Sequence, residues 1–265
     1  MMGVEVRWFG GAYGHDMAPN ERRDGWPSDF NAFKAYGPLV EARELGFEAV
    51  RVWLCEAGEG IVTRDGAVAG VHPALLDAVK AVEDGARLTG LRVVWTLLDG
   101  NADGADDRAF MRGLVAEPGR FAERVAAPIA RALSADVTLA VELMHAPEAL
   151  IGDGVTWAAM AGFLRATGDA VRAARAGTTV LVGTQVEFRG VLGEAGLDVI
   201  ETDLNDRAGE GYRCGRCESL NDDALGGGFD AVFAGPLEGV FIDTETPGRP
   251  LTEEGRRVQA LLAGR

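Results

Sequence analysis

Short apolar runs rich in β-branched and aromatic residues recur along the chain, with helical patterns between them. They read VEVRWFG (4–10), FEAVRVWL (47–54), LRVVWTLL (91–98), VTLAVELM (137–144), TTVLVGT (178–184), LDVIETDL (197–204) and GVFIDTE (239–245). Most begin about 40 to 45 residues apart, room for a strand, a rim loop and a returning helix, although the step from the fifth to the sixth is much shorter. Parallel neighbours need crossovers of that length, so the spacing predicts a parallel sheet.

The intervening segments carry apolar stripes at helical spacing. Leu75, Leu76, Val79 and Val82 share one face, as do Phe121, Val125, Ile129 and Leu133, and then Trp157, Met160, Leu164 and Val171. These predict outer helices packed on the sheet. Three helix-to-strand turns, LGF (45–47), TGL (89–91) and AGL (195–197), place Gly where a helix ends in a left-handed cap. A doubly wound open sheet would carry a Gly-rich phosphate loop after an early strand, and no such pattern follows the first run. The prediction is an α/β fold, a (β/α)8 TIM barrel in a single domain over residues 1–265. Its eighth strand is either the irregular run FDAVFAG (229–235) or missing, because the segment from Thr252 onward reads as a final helix.

Composition narrows the range of partners. Hydrophobic residues make up 47% and charged residues 25%, enough to bury a large core and keep a solvated surface. A formal charge of −15 repels phosphate backbones and anionic headgroups, which disfavours nucleic acid and membrane surfaces and favours a small-molecule substrate. The opening MMGVEVRWFGG has no basic region followed by an apolar run, so a cytoplasmic location is expected. Cys55, Cys214 and Cys217 are the only cysteines, and a lone CGRC pair is read as free thiols or a local disulfide rather than zinc. No cofactor and no metal is expected, although His15 lies in a loop after the first strand. The oligomeric state is left open.

In a parallel barrel the strands end at one face, so residues closing each strand meet there although they are distant in sequence. Those ends offer Arg51, Trp53, Cys55, Glu56, Asp99, Asn101, Glu142, His145, Asp203, Asn205, Asp243 and Glu245, a rim rich in carboxylates. Arg51 lies between Val50 and Val52 and therefore points opposite to them, into the barrel, where a cation requires an anionic partner; Glu142 is one candidate. Trp53 shares that parity nearer the rim and is a candidate stacking platform, whereas Trp95 and Trp157 are read as packing. The loop over residues 206–220 has no periodic pattern and reads as a lid or an exposed excursion.

Four segments carry a resemblance to the clan A glycoside hydrolases, the group of cellulases and β-mannanases. LGFEAVRVWL (45–54) resembles the second-strand segment whose Arg steadies the nucleophile, and TGLRVVWTLLD (89–99) is similar to the third. VELMHAPE (141–148) resembles the fourth-strand motif Trp-Glu-Leu-x-Asn-Glu-Pro, and FIDTETPG (241–248) the seventh-strand segment that ends in the nucleophile. The resemblance implies Glu245 as nucleophile and Arg51 as its supporting cation. It also puts His145 in the place of the Asn and Ala146 in the place of the acid/base Glu, and Ala transfers no proton. ETDLND (201–206) stands where clan members often carry a His and a Tyr.

Retaining glycosidases need a pair of carboxyl groups, one attacking the anomeric carbon and one moving a proton. With Ala146 silent, His145 or Glu148 is the candidate proton donor; Glu142, four residues before Ala146, is expected lower in the barrel. Arg51, Trp53, Asp99, Glu142, Asp203 and Asn205 are the candidate substrate contacts. The expected function is a glycoside hydrolase-like action on a small glycoside or carbohydrate-like metabolite. The alternatives are a non-hydrolytic acid–base enzyme (isomerase, lyase or cyclase) or an inactive carbohydrate-binding barrel.

Overall fold

The computed structural model describes residues 2–6, 8–11, 13–23, 28, 30–102 and 104–184, and the strand backbones 198–201, 218–220 and 231–236. Its elements are β1 (Met2–Val6), α1 (Ala32–Glu44), β2 (Ala49–Trp53), β3 (Ile61–Arg64), β4 (Ala67–Val71), α2 (Pro73–Thr89) and β5 (Arg92–Thr96). They continue with α3 (Ala105–Ala116), α4 (Pro118–Phe121), a π-helical stretch (Ala122–Ala126), α5 (Ala127–Ala132) and β6 (Thr138–His145). A 3-10 turn (Pro147–Leu150), α6 (Trp157–Ala174), β7 (Val180–Thr184), β8 (Asp198–Glu201), β9 (Glu218–Leu220) and β10 (Ala231–Pro236) complete the described chain.

Eight strands form a closed barrel in the order β1-β10-β9-β8-β7-β6-β5-β2, and β1 pairs with β2 to complete the ring. Seven run parallel, as the repeat length predicts; β9 is antiparallel to both β8 and β10. This decides one open alternative and corrects one expectation. Of the two alternatives for the last strand, the structure has the strand: 231–236, overlapping the FDAVFAG run (229–235), pairs in parallel with β1. The stretch read wholly as a lid or excursion contains β9, whose three residues are too few for any alternation to be visible in sequence. The run at 239–245 lies outside the described residues.

The outer helices form where the stripes predict. α2 starts with Pro73, whose missing N–H is no loss in a first turn, and His72 Nδ1 accepts from the Ala74 N–H at 3.1 Å. It ends on Gly90 at φ 72, the left-handed cap expected from TGL. Leu75, Val79 and Val82 are buried against the sheet, together with Phe121, Val125, Ile129 and Leu133 from the next helical segment and Met160, Leu164 and Val171 from α6. Their partners are the outward residues of the strands, Val50 and Val52, Val93 and Trp95, Val141 and Leu143. Each such side chain fully removed from water contributes about 1.5–3 kcal/mol, so this layer between barrel and helices holds the fold.

One element was legible but unread. β3 and β4 are an antiparallel hairpin joined by Asp65-Gly66, both at positive φ (52 and 77), the geometry of a two-residue turn that favours an Asp-Gly pair. In the described residues no helix is long and apolar enough to cross a membrane.

Candidate functional site

The inward residues of β1, β2, β5 and β6 build a polar cluster inside the barrel. Glu5 in β1 and Arg51 in β2 are each flanked by valines that face the helices, so strand alternation turns both inward. Arg51 donates from Nε to Glu142 Oε2 at 2.8 Å and from Nη2 to Oε1 at 2.6 Å, a forked pair across the strands. Thr96, at the end of β5, donates its hydroxyl to Glu142 Oε2 and accepts from Arg51 Nε at 3.0 Å. Arg51 and Glu142 are 2% and 0% exposed, so their charges are stable there only because each satisfies the other.

A second carboxylate stands beside the same guanidinium. Glu5 Oε1 lies 3.7 Å from Arg51 Nη1 and accepts from Trp53 Nε1 at 2.8 Å. The Trp53 ring stands edge-on to His145 with centroids 5.1 Å apart, and the Arg51 guanidinium lies 4.9 Å from the Trp53 ring.

His145 reaches this cluster through a bulge. Glu142 pairs with Leu181 and His145 with Gly183, so β6 advances by one residue more than β7. The extra residue reverses alternation, which otherwise puts positions of odd separation on opposite faces. His145 Nδ1 therefore comes to 3.1 Å from Arg51 Nη2 and 3.9 Å from Glu142 Oε1. Gly183 makes this possible: a Cβ there would lie 2.2 Å from Glu142 Oε1.

The loop after β5 is laid along the same strand end. His145 N–H donates to Leu98 O at 2.9 Å, Gly100 N–H donates to His145 O at 2.7 Å, and Asp99 forms a β-bridge with His145. The Asp99 carboxylate accepts from the Asn101 N–H at 2.9 Å. Next in the chain, Ala146 adopts φ 46 and ψ 52, a left-handed conformation uncommon for a residue with a Cβ. Glu148, in the 3-10 turn that follows, is half-buried.

A neighbouring acidic group organises the loop after β1. Asp16 accepts from the N–H groups of Phe9 at 2.8 Å and Gly11 at 2.7 Å, and its own N–H donates to Glu59 Oε2 at 2.7 Å. The other Glu59 oxygen has no hydrogen-bond partner among the described residues. Burial pushes the Glu59 carboxyl well above the usual range, and the charges of Glu56 and Asp16 push it further. Glu56 is also buried and accepts from Trp8 Nε1 at 3.0 Å. Cys55 is a free thiol, raised by burial and then by Glu59, which keeps it in the unreactive protonated form.

Of the residues expected at the site, Arg51, Trp53, Glu142 and His145 touch one another, and Asp99 adjoins His145. Asp203, Asn205, Glu245, Cys214 and Cys217 lie outside the described residues. Glu5 and Thr96 were missed. VEV at 4–6 is the same signal as VRV at 50–52, a charged residue between two valines, so Glu5 was legible; Thr96 had no signal of its own.

No protein-family model and no curated protein matches the chain. Among solved structures it is similar to the β-mannanase of the blue mussel Mytilus edulis, with a TM-score of 0.59 and 19% identity over 74% of this chain and 65% of that one. The β-1,4-mannanase of the sea hare Aplysia kurodai gives a TM-score of 0.58 at 18% identity, covering 74% and 66% of the two chains. A GH5_18 protein of Streptomyces cattleya, solved in complex with Manβ1-4GlcNAc, gives 0.50 at 19% identity over 69% of this chain and 44% of that one. The chain thus spans about two thirds or less of the length of these proteins. Likeness at this identity is one of fold: the chain shares the TIM-barrel architecture of these proteins.

Proposed function

We propose that this barrel is a glycoside hydrolase-like protein that acts on a small glycoside or carbohydrate-like compound. The observation that carries the reading is the buried Arg51–Glu142–Thr96–His145 cluster beside Trp53, at the ends of parallel strands in a fold shared with β-mannanases. Trp53, expected as a stacking platform, is 1% exposed and packs behind His145, whose side chain is 13% exposed and is the part of the cluster a ligand would meet. In this reading Glu245 attacks the anomeric carbon, and His145 or Glu148 handles the proton of the leaving oxygen. Asp99, Asp203 and Asn205 contact substrate hydroxyls. Arg51 and Glu142, each satisfied by the other, supply the fixed charge beneath.

One observation favours a second reading. Ala146, the residue in the place of the acid/base Glu, offers no group to transfer a proton. A barrel that binds carbohydrate without turnover, or runs a non-hydrolytic acid–base reaction, is consistent with that. Incubation with a panel of activated aryl glycosides separates the readings. The hydrolase reading expects turnover that is lost in Glu245→Gln while ligand binding persists, and a gain with poor leaving groups in Ala146→Glu. No turnover of any substrate, combined with thermal stabilisation by a sugar, would replace it with the binding reading.

A further inference from the structure

A second concave surface lies in the outer layer of the protein. A cavity of about 640 Å³ separates the β3–β4 hairpin from α4 and the π-helical stretch, lined by Arg64 on one side and by Arg120 and Arg124 on the other. It stands open because residues between these arginines are small: Ala67 and Ala69 on β4, and Gly119, where an added Cβ would meet nothing within 4 Å. The hairpin wall is fixed at its base. His72 N–H donates to Gly60 O at 2.8 Å, Gly60 N–H donates to Pro19 O at 2.9 Å, and Val68 packs against the core. The cavity is therefore preformed, as small-molecule sites usually are.

The charge of this cavity runs against that of the chain. The sequence carries 41 acidic and 26 basic residues, yet three of the four charged side chains lining the cavity are arginines, and only Glu123 opposes them. Pro128 has no N–H for the Arg124 carbonyl, and the helix widens over Ala122–Ala126. Residues four apart then keep to one face, Arg120 with Arg124 as buried Phe121 with Val125. Arg120 is paired with Glu117 at 3.1 Å, whereas Arg64 and Arg124 make no ion pair among the described residues. Exposed arginines on a flat surface are simply hydrated; around a concavity their fields add, and one anion can be held by several of them.

We propose that this cavity is a binding site for the phosphate group of a small molecule, gripped by Arg64 from the hairpin and by Arg120 and Arg124 from the helix. A guanidinium presents paired N–H donors that match two phosphate oxygens, and Ala67 and Ala69 give the body of the ligand an apolar wall. The volume suits a compound the size of a sugar phosphate. A polymer of phosphates would meet the field of the −15 chain around it. The cavity shares no residue with the strand-end cluster, so the proposal stands whether or not the barrel hydrolyses a glycoside.

Titration calorimetry of the full chain tests it, with glucose 6-phosphate and inorganic phosphate as probes at an ionic strength of about 20 mM, where screening is weak. Glucose 6-phosphate should bind with a Kd of about 1 mM or tighter. Arg64→Gln with Arg124→Gln should weaken that binding about tenfold or more, through the loss of charge-assisted hydrogen bonds. Gly119→Leu keeps every charge and fills the cavity, and should abolish it. All three positions are exposed, so melting temperatures within about 2 °C of the wild type are expected and show that the fold is intact. Inorganic phosphate binding as tightly as the ester assigns the site to free phosphate, and weaker binding assigns it to an organic phosphate; both support the proposal. No binding of either probe overturns it. So does binding that survives Gly119→Leu unchanged, which would put the anion on guanidinium groups outside the cavity.

Discussion

Glu59 shows what a single buried carboxyl does to this protein. Its folded-state pKa is raised, first by burial and then by Glu56 and Asp16, so the folded chain holds this proton more tightly than the unfolded one does. The contribution to stability is therefore neutral below the unfolded value of about 4.3 and grows unfavourable as pH rises above it, until the folded carboxyl ionises too. Glu59→Gln keeps an acceptor for the Asp16 N–H and removes the ionisation. The difference in melting temperature, variant minus wild type, is expected to be small near pH 4 and to become positive toward pH 8. A difference that stays flat with pH would mean that Glu59 is ionised in the folded protein like any surface carboxylate.

At the scale of elements, β2, β5 and β6 are joined through the Arg51–Thr96–Glu142 contacts as well as through their backbone ladders. Removing one partner leaves the other charged and buried. Glu142→Ala should therefore destabilise by about 3–5 kcal/mol in urea denaturation, whereas Arg51→Met with Glu142→Leu should restore part of that loss, because the unpaired guanidinium is gone while Glu5 stays buried without it. If the single and double variants were equally unstable, packing rather than charge would hold these strands together. The loop after β1 is fastened separately. Asp107 of α3 pairs with Arg22 at 2.9 Å and with Arg23, and the Arg22 guanidinium lies 4.0 Å from the Phe110 ring. These contacts join the first loop of the barrel to the outer layer.

For the whole molecule, closure depends on a strand distant in sequence from its neighbour: β10 pairs Met2 with Val232 and Val4 with Ala234. Without it, β1 presents an open edge of unpaired N–H and C=O groups, the kind of edge that recruits other chains. A chain ending before residue 231 is expected to lose cooperative unfolding and to aggregate in light scattering at concentrations where the full chain stays clear. A monomeric, cooperatively folded truncation would show that the remaining seven strands close by themselves. The formal charge of −15 acts at this scale too, as a long-range field of one sign around the whole molecule.

The sequence by itself determined what depends on neighbours along the chain. Alternation around Arg51 and Trp53 turned them inward, helical stripes such as Leu75, Val79 and Val82 chose the face to bury, and Gly90 marked a helix end, because each is a local periodicity or a local steric demand. Only the tertiary structure decided which carboxylate Arg51 meets, since Glu142 lies 91 residues away and the pairing depends on strand order and register. It also decided that His145 faces that pair, through a bulge whose extra residue is defined only against β7, and that the barrel closes on β10 with β9 reversed beside it. Register is a relation between strands, and period-two patterning within one strand cannot encode it.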